Sequence, residues 1–209
     1  MNNSRSKLYL TRLYVPRLSV FCLTLVLFAC AQTPIPQAQL NSVQHQKSLS
    51  EFKNWQIKGR LGFKSPNKKQ SANFSWQQKQ SEYKLNLTSV IGTSILKMYG
   101  DKNQVTLEAD DEVHQDSNAS FLIWRMTGWQ IPVEQFPIWI KGQITQNADF
   151  INAEQGWVTQ IQPNCDQCED WLINYDNYKL VGDTWLPHTI TFLNRSNNNQ
   201  LLIRVNSWS

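Results

Sequence analysis

The sequence is poor in the residues that mark several protein classes. Its 209 residues include only four Cys, eight Gly and eight Pro, which excludes a disulfide-dense miniprotein, a collagen-like repeat and a disordered chain. Its longest apolar run, residues 18–29, holds twelve residues, too few for a bilayer-spanning helix, which needs about 20. The length and composition therefore predict one globular domain.

The chain also lacks an excess of positive charge once its first segment is set aside. Four of the 20 Lys and Arg, and none of the 16 Asp and Glu, lie before residue 30, so 16 basic and 16 acidic residues remain. A balanced chain cannot produce the basic field with which proteins bind a phosphate backbone. We therefore expect no nucleic-acid partner.

Motifs for catalysis and metal binding are missing as well. The sequence has no G-x-S-x-G, G-x-G-x-x-G or G-x-x-x-x-G-K motif, and His45, His114 and His188 match no metal-ligand spacing. The acidic triplet at residues 110–112 is typical of a solvated turn. We predict no catalytic residue, no metal site and no cofactor other than a covalent lipid.

The first thirty residues are typical of an export signal. Basic residues precede the apolar run at residues 18–29, which ends in the sequence Leu27-Phe28-Ala29-Cys30. This ending resembles the bacterial lipobox, in which the cysteine is acylated and becomes the mature N-terminus, although Phe28 is bulkier than usual there. The alternative is an ordinary signal peptide or N-terminal anchor in which Cys30 falls at the end by chance.

The lipobox resemblance predicts a lipid-anchored protein. The residue after Cys30 is Ala31 rather than Asp, which implies the outer membrane, with the domain facing the periplasm. Residues 31–39, AQTPIPQAQ, have the composition of an extended tether. We predict a signal peptide at residues 1–29, an acylated N-terminus and tether at 30–39, and one domain at 40–209.

In the domain, apolar and polar residues alternate mainly with a period of two, which predicts antiparallel strands with one dry face. Such alternation occurs near residues 57–64, 72–77, 83–88, 105–110, 157–161, 171–175, 190–192 and 201–205, and a further strand is expected to carry Leu96 and Met98. Helices are expected at residues 41–54, from Ser117 or Asn118 to Gly128, and between Pro132 and Gly142, with Pro137 in a first turn. Two of these helices can cover the dry face of a curved sheet.

A hairpin tip near residue 90 is unusually apolar. Residues 88–94, TSVIGTS, place Val90 and Ile91 before the turn-permitting Gly92, where polar residues are the norm. The sequence therefore predicts an apolar side chain thrust outward, although a loop that folds back onto the protein stays open as an alternative.

Cys165 and Cys168 form the one C-x-x-C motif of the chain. In an exported protein such a pair is a local disulfide, a redox pair or half of a zinc site. Zinc would need two further ligands that the sequence does not supply. Because the pair lies between two alternating runs, we favour a disulfide that clamps a hairpin turn.

Five segments resemble, in order, blocks of the LolB family of outer-membrane lipoproteins. They are residues 54–60 (NWQIKGR), 74–78 (FSWQQ), 87–93 (LTSVIGT), 126–132 (MTGWQIP) and 139–142 (WIKG). The resemblance implies a mainly β fold with a few helices, an incomplete antiparallel β-barrel with a helical lid over a hydrophobic cavity. It also implies that the protein takes client lipoproteins from the periplasmic carrier LolA and inserts them among outer-membrane phospholipids.

The resemblance further implies roles for individual residues. The membrane-transfer loop of the family maps onto Val90, Ile91 and Gly92, with Ile91 where the family tip is typically Leu preceded by Pro. Pro137 and the C-x-x-C motif have no family role. We expect a monomer whose acyl-chain cavity or lid includes eight apolar residues, namely Trp76, Leu85, Leu87, Leu96, Met98, Phe121, Trp124 and Trp139.

Two other functions stay open at this point. The nine Trp can simply pack a closed core, which would make the protein a structural or assembly lipoprotein of the outer membrane with no ligand cavity. An enzyme of envelope lipids or thiols that uses the C-x-x-C motif is the third hypothesis.

Overall fold

A computed structural model describes residues 39–165, 168 and 170–209. The predicted signal peptide, Cys30 and the tether up to residue 38 lie outside the described residues. Among the described residues, no helix has both the length and the apolar character to cross a membrane. The helices and strands follow one another as α1 (Ser42–Glu51), β1 (Asn54–Lys64), β2 (Lys69–Lys79), β3 (Glu82–Thr88), β4 (Ser94–Gly100), β5 (Val105–Ala109), β6 (Glu112–Asp116), α2 (Ala119–Thr127), α3 (Phe136–Trp139), β7 (Asp149–Asn152), β8 (Val158–Gln162), β9 (Trp171–Val181), β10 (Thr184–Asn194) and β11 (Asn199–Trp208).

The strands form one antiparallel sheet whose spatial order is β6-β5-β4-β3-β2-β1-β11-β10-β9-β8-β7. Strands β1 to β6 pair consecutively, as do strands β7 to β11, and β1 joins the two series by pairing with both β2 and β11. Because β6 and β7 form two free edges, the sheet is an incomplete barrel. The fold class predicted from the alternation and the resemblance is confirmed.

The alternating residues of the central strands build the core. Ile57 on β1 is paired with Trp76 on β2 and Trp208 on β11, and all three side chains are buried. On β1 the exposed residues that alternate with the buried ones include Lys58, Arg60 and Lys64, as a sheet with one dry face requires. A bulge between Lys58 and Gly59 shifts the register of β1 against β11, a feature that increases the local twist of a sheet.

The helices begin at signals that the sequence contains, but α1 ends at Glu51 rather than at the predicted residue 54, because Asn54 begins β1. The side chain of Asn41 accepts a hydrogen bond from the Gln44 amide of α1 at 3.0 Å, and Asn118 accepts one from the Phe121 amide of α2 at 2.7 Å. Helix α2 ends at Gly128, whose φ of 73° is left-handed. A 3₁₀ turn at Val133–Gln135 leads into α3.

Helix α3 covers the dry face of the sheet. Pro137 lies in its first turn, as predicted, where a missing amide proton costs nothing. The Phe136 ring is stacked 4.7 Å from Phe192 on β10 and lies 6.4 Å from Trp76 on β2. One short helix thus contacts both halves of the sheet.

Two edge strands were not predicted from the sequence. All four residues of β7 are exposed, and Phe150 and Ile151 are adjacent apolar residues, so no period of two is present. Strand β6 is mostly polar. The acidic triplet is a turn at its first two residues, since Asp110 and Asp111 have φ of 52° and 62°, and its third residue begins β6.

Candidate functional site

A cleft of about 590 Å³ lies beside α2 and opens to solvent. Phe121 and Trp124 of α2 line it and are 42% and 46% exposed, with ring centroids 5.7 Å apart. Ile131 and Trp171 add apolar surface, but most of the other residues that line the cleft are polar, among them Gln130 and Asn194. Small-molecule sites combine apolar and aromatic walls with polar groups, so the aromatic rings are the part of this cleft that suits an apolar ligand.

A second cleft of about 230 Å³ lies on the other side of the first turn of α2. It is lined by Trp76 of the sheet, Tyr83 of β3 and Ile138 of α3, among others. Burial, followed by the nearby carboxylates of Glu134 and Asp101, raises the pKa of Tyr83 to about 12. The phenol is therefore neutral at physiological pH, and its hydroxyl has no hydrogen-bond partner among the described residues.

Glu134 connects the two clefts because it lines both of them. Its carboxylate accepts hydrogen bonds from the amide of Ser120, at 2.9 Å, and from the Ser120 hydroxyl. The Ser120 hydroxyl oxygen in turn accepts a hydrogen bond from the Val133 amide at 2.8 Å. These contacts fasten the first turn of α2 to the 3₁₀ turn before α3, so the helices form a connected lid.

The centre of the dry face is filled by side chains. Leu96, Met98 and Trp139 are each less than 5% exposed, and Leu85 and Leu87 are half-buried against the same cluster. Of the eight residues predicted for the cavity or lid, Phe121 and Trp124 line the first cleft and Trp76 lines the second. The other five line neither of these two clefts, and an acyl-binding role for any of the eight stays a prediction.

The loop between β3 and β4 projects an apolar tip. Val90 is 67% exposed and Ile91 is 91% exposed, so the loop does not fold back onto the protein. Gly92 has a φ of 91°, which only glycine adopts without strain. The tip is closed by Ser89, whose amide donates to the Thr93 carbonyl at 2.8 Å and whose hydroxyl accepts from the Thr93 amide at 3.0 Å.

These contacts give the loop a defined turn that does not depend on a proline. The hydroxyl residues around the tip therefore have a structural role that the sequence analysis did not assign.

Cys165 and Cys168 are joined by a disulfide between β8 and β9, with their Cα atoms 5.1 Å apart. The amide of Cys168 donates to the Cys165 carbonyl at 2.9 Å, which closes the turn. Cys168 also lines the first cleft. The bridge therefore lies at the edge of that cleft.

Lys141 is a buried charge that the sequence analysis missed. Its ammonium donates to the carbonyls of Leu49 and Phe52, at 2.7 and 3.1 Å, and thereby holds the end of α1. Burial, with a smaller effect from Lys53, lowers its pKa to about 8. The signal was present in the sequence, where this lysine stands within the apolar segment Trp139-Ile140-Lys141-Gly142.

Sequence comparison gives one consistent result. A family model described as "Outer membrane lipoprotein LolB" matches residues 53–208. An outer-membrane lipoprotein LolB from Tolumonas auensis is 33% identical over 190 residues, covering 90% of this chain and 93% of the relative. The protein of the same name from Aeromonas hydrophila is also 33% identical, over 88% of this chain and 92% of the relative.

Solved structures support the fold independently of the sequence. A LolA superfamily protein from Nitrosomonas europaea superposes with a TM-score of 0.53 at 7% identity, covering 81% of this chain and 93% of that chain. A Vibrio parahaemolyticus domain described as belonging to an outer membrane lipoprotein-sorting protein gives a TM-score of 0.54 at 11% identity, with coverages of 80% and 90%. At these identities the likeness shows the fold alone.

Proposed function

The chain belongs to the LolB family of outer-membrane lipoproteins, and on that premise we propose that it accepts lipoproteins from the periplasmic carrier LolA and inserts them into the outer membrane. The single observation that carries this proposal is the exposed Ile91 at the tip of a closed, hydrogen-bonded loop. Exposing an apolar side chain such as Ile91 to water is unfavourable, and burying it in a membrane removes that free-energy cost.

The cleft beside α2 is the proposed entrance for the acyl chains of a client. Its volume of about 590 Å³ lies within the usual range for small-molecule sites. Each CH₂ moved from water into an apolar site contributes about 0.8 kcal/mol, and the rings of Phe121 and Trp124 offer such a surface. Direct transfer from one apolar cavity to another keeps the chains out of water and needs no nucleotide if the receiver binds more tightly.

Movement of α2 would enlarge this site. The helix buries only Ala119, Leu122 and Ile123, and the two clefts lie on either side of its first turn, with Glu134 at the boundary. Displacement of that turn would join the two volumes and expose Trp76 to the ligand. We propose that α2 and the 3₁₀ turn form the lid that a client displaces.

The remaining parts of the proposal concern residues outside the described structure. Acylated Cys30 would anchor the protein to the outer membrane, with the tether holding the domain on the periplasmic side as a monomer. Multiple acyl chains make such anchoring stable where a single chain is marginal. The proposed reaction is binding and transfer, without catalysis and with no cofactor beyond the lipid on Cys30.

Displacement of a fluorescent fatty-acyl probe tests the cleft. The chain without residues 1–30 should bind the probe, and Phe121→Asp should weaken binding at least tenfold because a carboxylate would enter the apolar surface. Phe150→Asp is the matched control, since Phe150 is 49% exposed but lies on edge strand β7, away from both clefts. Absence of any probe binding would favour the alternative function of a structural lipoprotein. The filled centre of the sheet supports that alternative.

Client delivery to outer-membrane vesicles tests the loop. Ile91→Glu should leave folding and client uptake intact and block delivery, since a charge costs about 2.5–3.5 kcal/mol when it enters a bilayer. Val113→Glu is the matched control, because Val113 is 63% exposed on β6. Undiminished delivery by Ile91→Glu would remove the proposed role of the loop.

A further inference from the structure

Two arginines stand directly opposite each other on the outer face of the sheet. Arg60 of β1 and Arg204 of β11 are register partners in an antiparallel pair, and such partners have Cα atoms about 4.5–5.5 Å apart. Both side chains are exposed on the face away from the core. Like charges directly opposite each other destabilise a sheet, so this arrangement has a cost that packing does not explain.

Neither arginine has a carboxylate within ion-pair distance in the part of the chain that the structure describes. Among the described residues, the ion pairs involve other side chains, and neither Arg60 nor Arg204 forms one. The next residues along the same row are also uncharged, since Asn73 is opposite Arg60 on β2 and Thr189 is opposite Arg204 on β10. The two guanidinium groups are therefore available to an anion from outside the protein.

The arginines line a groove of about 260 Å³ that reaches the transfer loop. Gly62 leaves the groove open, because a Cβ on Gly62 would meet only the Leu202 carbonyl oxygen, at 4.0 Å. Val90 forms another part of the wall. The side chain of Asn73 donates to the Ser89 carbonyl at 3.2 Å, which fixes the base of the loop beside Arg60.

The position of the groove identifies the chemistry of its occupant. When Ile91 enters the hydrocarbon, a groove at the base of the same loop lies at the level of the polar headgroups. Guanidinium groups bind phosphate through paired hydrogen bonds. The diacylglyceryl group of a client lipoprotein contains no phosphate, whereas membrane phospholipids do.

We propose that Arg60 and Arg204 together bind the phosphate of an outer-membrane phospholipid and so hold the Val90–Gly92 loop at the membrane surface. This inference rests on the proposed membrane role of the loop and adds a ligand class to it. The pair acts as a positioning device, because one phosphate that contacts both guanidinium groups fixes the sheet relative to the bilayer plane.

Protection of the arginines from chemical modification tests the proposal on the full acylated protein. The protein is anchored in vesicles of phosphatidylglycerol and phosphatidylethanolamine, or in vesicles of digalactosyldiacylglycerol, which has no phosphate. Phenylglyoxal then modifies accessible arginines, and mass spectrometry gives the rate at each site. We expect Arg60 and Arg204 to react at least fivefold more slowly in the phospholipid vesicles, with no such difference at Arg125 on α2.

A matched pair of variants tests whether the two arginines act together. Arg204→Gln should remove most of the protection of Arg60 in phospholipid vesicles, because the shared phosphate then has one guanidinium group instead of two. Lys64→Gln removes the same charge from an exposed position on β1 outside the groove, and it should leave the protection of Arg60 unchanged.

Three outcomes would overturn the proposal. If neither vesicle type slows the modification of the two arginines, no phosphate is bound. If both vesicle types slow it equally, the membrane simply shields the arginines. Protection by inorganic phosphate in galactolipid vesicles, at the level seen with phospholipid, would identify a free-anion site instead. The assay contains neither client nor carrier, so its failure is distinguishable from a failure of lipoprotein delivery.

Discussion

Gly59 lies where two strands of the sheet approach closely at the β1 bulge. A Cβ on Gly59 would collide with the carbonyl oxygen of Arg204 and lie 2.9 Å from Cε1 of Phe74. Gly59→Ala should therefore lower the free energy of unfolding by about 1–3 kcal/mol, the usual cost of overpacking, as measured by urea denaturation. Gly62→Ala on the same strand is the control and should cost far less, since its Cβ has space. Equal stabilities of the two variants would contradict this account of the bulge.

Individual residues differ in how well the sequence predicts their environment. Ile91 could be placed at an exposed tip because its neighbours are turn residues, and local chain geometry decides its position. The burial of Lys141 could not be predicted, because its ammonium binds the carbonyls of Leu49 and Phe52, about 90 positions earlier in the chain. Hydrogen bonds between distant segments leave little trace in local composition.

At the scale of elements, Glu134 attaches the first turn of α2 to the 3₁₀ turn before α3. Glu134→Ala removes the acceptor for the amide and hydroxyl of Ser120. We expect amide hydrogen exchange to accelerate at least tenfold across Ala119–Thr127, because local opening becomes easier, while exchange in β9 and β10 stays unchanged. Glu154→Ala, at an exposed carboxylate between β7 and β8, should leave the exchange of α2 as it was. Unaltered protection of α2 in Glu134→Ala would show that its apolar contacts and the hydrogen bond between Arg125 and His114 hold the helix without Glu134.

The elements that the sequence predicted are those with a buried face. Strands such as β1 and β11 alternate because one side packs against the core, and α2 has a capping Asn118 and a terminal Gly128. Strands β6 and β7 lack such a pattern, since they lie at the two edges and have little or no buried surface. They are strands because each pairs with one neighbouring strand, and not because one face is buried. Sequence periodicity reflects burial, so it does not reveal them.

At the scale of the whole molecule, the sequence predicted an open sheet with helices over it but not where the open volume lies. Whether apolar residues fill a barrel or line a cavity depends on how Phe136 and Trp139 pack against Phe192, which lies far from them in the chain. The structure fills the centre with these rings and leaves the two clefts beside α2. In the proposed function, a ligand therefore enters beside α2.

Two buried histidines should make the stability of the whole fold depend on pH. The Nε2–H group of His45 donates to the Trp185 carbonyl oxygen at 2.8 Å. The Nδ1–H group of His188 donates to the Val205 carbonyl oxygen at 3.0 Å. Burial lowers the pKa of both imidazoles below the usual 6.5, against a smaller opposing effect of these hydrogen bonds. The His45 contact joins α1 to β10, and the His188 contact joins the neighbouring strands β10 and β11.

The sign of the effect follows from the lowered pKa values. The unfolded chain binds protons at these sites before the folded protein does, so the stabilising contribution is complete above pH 6.5 and is lost as the pH falls through the lower folded pKa. The free energy of unfolding should decline below pH 6.5 by up to about 1.4 kcal/mol per pH unit for each histidine. Urea denaturation between pH 5 and 8 measures this slope, and His45→Gln should make it shallower because one of the two titrating groups is gone. A slope that His45→Gln leaves unchanged would assign the acid sensitivity to other groups.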